Sequence, residues 1–425
     1  MHGIWAWSLW TVLAGAGLEG RAESSNDERG RAPTLDVQLL TMEPGDELFT
    51  RGGHVALLVS RSYESGAPTT TVYNYGDADW DNPALVWDFV RGRLVFFLSS
   101  SGTLDETITT YGVRQARDVY RQPLVLTPAQ AAAIVKRLER EVVRGQGDYV
   151  FHQTRALCST RVRDLIDEVL GGAVRAQLSE RPDPRTVRDY QQWTFAGFTL
   201  ASLGGDLLMG RMHDAPLEQF SAAYVPYRLR EYLQQVQVPD PWAPGRTVPL
   251  AGKPVPLALR EQPLPERGAN LSAPIFGGGL ALLLVGLGGL AAIGRRARPW
   301  WASAGLALWA ASSGAVGLAL LVVLCLSRVR EFWLNELLLS FWATDLLLFA
   351  PAIAWTRGRT AAWRWLDAYV SLRLATGAVV LVGRLSGVLY QRPVWWWAAG
   401  LVGVTVSFIV VRRMRPRAAA LGSQI

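Results

Sequence analysis

Up to about residue 270 the apolar positions come in short alternating or helically spaced runs, and beyond residue 272 they merge into long uninterrupted stretches. The runs "HVALLVS" and "TTTVYNY" are apolar or β-branched and flank the turn-forming cluster "RSYESGAPT". That pattern predicts two adjacent strands joined as a hairpin, with His54 at the start of the first. From residue 127 the period becomes helical. "TPAQAAAIVKRLEREVVRG" opens on a threonine cap with proline next and closes at Gly145, which predicts a helix. A second helix is predicted over about 159–169, where Val162, Leu165, Ile166 and Val169 lie three or four apart on one face and the chain then reaches a glycine pair.

After a proline-rich linker, the segments 275–293, Trp300–Leu326 and 394–411 carry no charge and are long enough to span a bilayer. Two more, 336–355 and 368–390, span with a few ionisable residues inside, making five helices. Asp345 and Arg373 fall within them. Charge in hydrocarbon predicts an inward-facing pair, with a headgroup or acyl-donor site as the functional alternative. Trp300, Trp301, Trp395, Trp396 and Trp397 sit at span ends and read as interfacial belts. At the other end of the chain, "IWAWSLWTVLAGAGL" within 1–22 reads as a signal peptide or an uncleaved signal anchor. The expected layout is an exported domain over 23–250, the linker over 251–272, a transmembrane domain over 273–412 and a cytoplasmic tail over 413–425.

Charge fixes the orientation and removes one class of function. The loops "GRRARP", "TRGRTAAWR" and "RRMRPR" hold ten arginines, against four in "SRVRE" and "GRLSGVLYQRP", so the first group is expected in the cytoplasm. The formal charge is +7, but residues 23–272 hold 27 basic and 31 acidic side chains, whereas those beyond hold 15 and 4. The excess is the arginine bias of a membrane protein and not a nucleic-acid footprint.

The chain has two cysteines, Cys158 and Cys325. The second lies in the uncharged run "GLALLVVLCLS", so no structural disulfide is expected, and Cys158 is left as a lone thiol in an exported domain. It falls at the start of the second predicted helix, where unpaired N–H groups and the helix dipole favour an anion and lower a thiol's pKa. A nucleophilic thiol needs a base, and His54, His152 and His213 are available. His54 is the leading candidate because a strand start beside two glycines is open to approach. The competing reading is structural: a small buried cysteine and a strand histidine with ordinary partners.

Several stretches together resemble the Lnb-type N-terminal periplasmic domain, the exported part of bacterial lipoprotein N-acyltransferase-like membrane proteins. They are "GDELFTRGGHVALLV", "VYNYGDADWDNPALVWDFVRGRLVFFL", "RQARDVYRQPLVLTPAQ", "CSTRVRDLIDEVLGG" and "HDAPLEQFSAAYVPYRLREYL", in that order and covering roughly residues 36–238. The resemblance implies an α+β papain-like domain, permuted so that the histidine strand precedes the cysteine helix, followed by the all-α membrane bundle of five helices. It implies Cys158 as nucleophile, His54 as base, and acyl transfer to the N-terminal amine of lipoproteins at the bacterial inner membrane. Lipoproteins or other lipidated molecules are the expected partners, with a phospholipid acyl donor and no metal or cofactor. Backbone N–H groups of Cys158 and Ser159 are expected to hold the oxyanion, and Asn74 or Tyr75 to orient the imidazole. One departure stands out. The family commonly has two asparagines before its cysteine, and this chain has Ala156 and Leu157. That motivates a binding protein that has lost catalysis as one alternative; an exported thiol peptidase or amidase, using the same cysteine and histidine with water as acceptor, is the other.

Overall fold

The computed structural model describes residues 33–261 except 48, 49, 65 and 101, together with 271–293, 299–357 and 364–422. The expected signal segment 1–22 lies outside the described residues.

Thr34–Met42 (β1), His54–Ser62 (β2) and Thr69–Asp77 (β3) pair antiparallel, with Met42 opposite His54 and Leu57 opposite Tyr73. The predicted hairpin is β2 and β3. With Val95–Ser99 (β4), Val119–Pro123 (β5), Tyr149–Val150 (β6) and Val255–Ala258 (β7), they form a seven-stranded sheet in the order β7-β5-β1-β2-β3-β4-β6. Both faces are covered, which is why "HVALLV" is nearly continuous in apolar residues. Alternation sends Val55, Leu57 and Val59 to one face and Ala56 and Leu58 to the other.

Four helices of this domain bear on the site and on the membrane junction: Leu85–Arg91 (α1), Pro128–Glu141 (α2), Cys158–Val169 (α3) and Thr199–Leu208 (α4). On α2 Thr127 accepts from the Gln130 N–H while the Gln130 side chain accepts from the Thr127 N–H. Helices α2 and α3 pack on the face of Val55, Leu57 and Val59. The other face, with Leu40, Met42 and Val119, is covered by Leu104 and by Tyr111 from the helical segment Ile108–Arg114.

The expected linker and tail segments both carry secondary structure. Val255–Ala258, within the expected linker 251–272, is instead an edge strand on β5, where Pro256 lacks an N–H that an edge position does not require. The expected tail 413–425 is helical as far as Gly422, because Val394–Gly422 (α9) runs on past the apolar span.

Five segments are long and apolar enough to cross a membrane. They comprise Gly279–Ile293 (α5), Pro299–Leu326 (α6), Phe349–Thr356 (α7), Arg364–Leu385 (α8) and α9. The third candidate span, Arg330–Thr356, is not one helix: three short 3₁₀ turns precede α7. Glycines on α6 leave room for this segment to pack closely: a Cβ at Gly317 would lie 2.5 Å from the Ala343 nitrogen and one at Gly314 2.5 Å from Leu346. Irregular backbone can sit at membrane depth only if protein satisfies it. Here the Trp342 N–H donates to Ser313 Oγ at 3.3 Å and Arg373 Nη2 donates to the Ser340 carbonyl at 2.5 Å.

The expected pair inside the bundle forms: Arg373 donates to Asp345 through Nε at 3.0 Å and Nη2 at 2.8 Å, and Tyr369 donates to the same carboxylate at 2.6 Å. The tryptophan belt is only partly one. Trp300 and Trp395 are exposed, but Trp396 and Trp397 are buried in the bundle core, where Trp397 Nε1 donates to the Gln391 carbonyl at 2.8 Å.

The two halves are locked together. Leu203, Leu207 and Leu208 of α4 pack against the bundle core. Asn335 Nδ2 donates to the Leu207 carbonyl at 2.6 Å, and Gln391 Nε2 to that of Met209 at 3.1 Å. Gly210 has no room for a side chain, since a Cβ there would meet the Glu331 carbonyl oxygen at 2.6 Å.

Candidate active site

His54 opens β2 directly after Gly53, whose φ of 78° suits glycine and whose Cβ would crowd the Met42 carbonyl at 3.1 Å. The ring stacks on Tyr111 with centroids 5.8 Å apart and planes 20° apart. Its Nε2 lies 3.2 Å from Asn74 Oδ1. An amide oxygen only accepts, so Nε2 carries the proton and Nδ1 of the neutral ring is left as the base.

Cys158 is the first residue of α3, and the His54 imidazole is the strongest influence favouring its thiolate against burial. The two meet across Gly76, where a Cβ would lie 3.7 Å from Cys158 Cβ and 3.9 Å from His54 Cε1. At φ 103° this position favours glycine on backbone grounds as well. Burial pushes the thiol's pKa up, but the His54 charge, the His54 hydrogen bond, the Val55 N–H and the Ser159 hydroxyl outweigh it and hold the thiol at about 7 instead of 9.0. Ser159 Oγ is 3.8 Å from Sγ. The Leu157 N–H is taken by Thr160 Oγ1 at 2.9 Å, and the N–H groups of Cys158 and Ser159 come next. First-turn amides have no acceptor within their helix, so these two can face a developing oxyanion.

Of the two proposed orienting residues, only Asn74 contacts the ring. Tyr75 donates instead to Glu141 at 2.6 Å and is buried on the opposite face, as neighbouring strand residues must be. Burial and the Glu141 hydrogen bond raise the Tyr75 pKa far above the usual phenol range. The other two histidines lie at the membrane junction. His152 Nε2 is 3.2 Å from Glu331 Oε2, and Arg155 pairs with the same carboxylate. His213 is buried against Phe332 and bonded to Gln153; burial and then the Arg188 charge lower its pKa to about 4, so it stays neutral.

Two contributors are marked by no strand or helix period in the sequence. Tyr111 comes from an irregular helical segment with no strand or helix period to place it. Arg117 is 2% exposed, donates to the Glu43 carbonyl at 2.6 Å and to the Met42 carbonyl at 3.1 Å, and lies 5.1 Å from the Tyr111 ring. Ala116, at φ 47°, turns the chain into that position. Burial lowers the Arg117 pKa to about 10, which leaves a cation in electrostatic contact with the thiol at neutral pH.

Residues 24–193 match the Lnb N-terminal periplasmic domain. No curated protein and no solved structure matches the chain. Cys158, His54, Asn74, Tyr111 and Arg117 all lie within the stretch matched to the Lnb domain. That domain and the five apolar spans make this a multi-pass membrane protein with a periplasmic N-terminal domain.

Alkylation of Cys158 in the Lnb domain should rise with pH through a midpoint near 7, because the thiolate is the reactive form. In His54→Ala only burial and weaker donors remain, and the midpoint should move up by at least about one pH unit. Mass-resolved labelling of the intact protein in a Cys325→Ala background reads this directly. A midpoint unmoved by His54→Ala would separate the imidazole from the thiol.

Proposed function

We propose that this chain is a membrane-anchored periplasmic cysteine acyltransferase of the bacterial inner membrane, which moves a fatty acyl group to the N-terminal amine of lipoproteins through a Cys158 thioester. The observation that carries the reading is the Cys158, His54 and Asn74 arrangement: a thiol at a helix start that meets an imidazole across Gly76, with Nε2 of that ring 3.2 Å from the Asn74 amide oxygen. The order of the histidine strand and cysteine helix fits a permuted papain-like thiol enzyme.

The chemistry runs in two halves. His54 Nδ1 takes the thiol proton, and Cys158 Sγ attacks the carbonyl carbon of an acyl ester, giving an oxyanion held by the first-turn N–H groups of α3. Collapse breaks the ester C–O bond, and the leaving alkoxide takes the proton from His54. An amine then attacks the thioester carbonyl and loses a proton to His54, and the C–S bond breaks to return the thiolate and leave an amide. The Arg117 cation favours the thiolate form in both halves. Ala156 and Leu157 leave oxyanion binding to backbone, because neither side chain donates. A thiol peptidase or amidase would use the same pair with water as acceptor.

The test uses the intact protein in membranes with phospholipid. A mass increment on Cys158, removed by hydroxylamine, is expected, and a lipopeptide with a free N-terminal amine should discharge it into an N-acylated product. Cleavage of the lipopeptide without lipid would favour the hydrolase. Retention of unmodified lipopeptide, with neither thioester nor product, would leave a binding protein.

A further inference from the structure

Helix α1 has no buried residue, and Val86, Trp87 and Phe89 are 67%, 44% and 38% exposed. A short helix with so apolar a free face is unusual in water, and its position explains it. The Arg328 N–H, just beyond α6, donates to the Arg91 carbonyl at 3.1 Å, and a Cβ at Gly92 would lie 2.9 Å from Val329. Helix α1 therefore sits against the chain just past the C-terminal end of α6, at the end of the bundle that meets the periplasmic domain. Beside it Arg91, Arg93 and Arg328 gather closely enough that repulsion from the other two lowers the Arg93 pKa, with Asp88 as the opposing charge. Cations at the end of a membrane bundle meet the phosphates of a leaflet.

From this helix a ladder of rings runs inward. Phe89 lies against Phe151 at 5.8 Å between centroids, and Phe151 against Phe96 at 4.8 Å. Phe96 borders Gly76, its Cδ2 lying 3.8 Å from the point where Cys158 Cβ is 3.7 Å away. The apolar strip thus runs from α1, beside the end of the bundle, to the thiol.

We propose that this strip is an acyl-chain groove. Its occupant is the fatty acyl chain of an ester lipid of the periplasmic leaflet, with the ester carbonyl at Cys158, the methylenes along Phe96, Phe151 and Phe89, and the chain end toward the bilayer beside α1. The apolar face of α1 dips into the leaflet while Arg91, Arg93 and Arg328 hold neighbouring phosphates. A peptide has no cause to lie along a strip that begins in the membrane. Continuity with the bundle and the charge beside it select lipid. The groove deepens the acyltransferase reading and rests on it for what happens at the thiol.

The experiment uses the full chain carrying Cys158→Ala, in nanodiscs containing phosphatidylglycerol with a diazirine along one acyl chain. Photolysis should label the peptides holding Phe89, Phe96 and Phe151. Phe89→Ser, an exposed position that does not threaten folding, should cut label at Phe96 and Phe151 about tenfold and leave label on the membrane spans unchanged, as should Phe151→Ser. A free diazirine fatty acid at equal concentration should label the strip less than the lipid does. Label confined to the spans, or label on the strip that neither variant changes, overturns the groove even if wild-type protein forms its thioester. Label on the strip without any thioester in wild-type protein keeps the groove and removes the acyl transfer.

Discussion

Cys158→Ala is expected to abolish acyl transfer to the lipopeptide, with single-turnover rates falling by on the order of a thousandfold or more, because the variant lacks the thiol on which the proposed thioester forms. His54→Ala should cost about a hundredfold to ten-thousandfold, the range for removing a positioned general base. Its thiol would also titrate higher, so part of that loss should return as pH is raised, which a Cys158 variant cannot show. Asn74→Ala keeps both reacting groups but releases the ring. It should therefore lower turnover by roughly tenfold to a hundredfold with little change in KM. Since the residues act as one unit, Cys158→Ala combined with His54→Ala should be no slower than Cys158→Ala alone. Full activity in His54→Ala, measured in the same membranes, would remove this site from the reaction.

The second large effect concerns stability. Asp345 is fully buried and Arg373 is 3% exposed, and the carboxylate is also bonded to Ser313 and Tyr369. Arg373→Met removes the only cation facing that carboxylate among the described residues and should destabilise the bundle by about 3–5 kcal/mol, the range for breaking a buried pair from one side. Adding Asp345→Leu should restore most of that loss, since no charge is then left unpaired. Thermal unfolding in one detergent reads both. A single variant as stable as wild type would show that water reaches the pair.

What is legible in the sequence goes with period and chemistry. The β2 and β3 hairpin, the capped α2, the start of α3 at Cys158 and four of the five spans rest on local signals, and each is where those signals point. The choice between Asn74 and Tyr75 is not local. Alternation says that only one of them can share a face with His54, but which one depends on register, and the pairing of Leu57 with Tyr73 is set by the whole sheet. Arg117 and Tyr111 reach the site through an irregular segment that no periodicity marks. The broken third span has a signal in "SSGAVG" on the neighbouring helix, but a groove of small residues names no partner until the helices are packed. Val255–Ala258 is hidden because prolines that argue against a central strand do not argue against an edge one.

The turn before the nucleophile is clamped to the membrane half, with Glu331 gripped between His152 and Arg155 only a few residues ahead of Cys158. A catalytic domain on a loose leash would sweep through a shell of heights and sample molecules well away from the bilayer. Under the proposed acyl transfer the reaction is held at a fixed altitude, so traffic would be planar: substrates rooted in the membrane would arrive by lateral diffusion, in two dimensions and at a height already matched to the thiol. Selectivity for lipid-anchored molecules can then come from where the reaction is mounted, before any contact at the site discriminates among them.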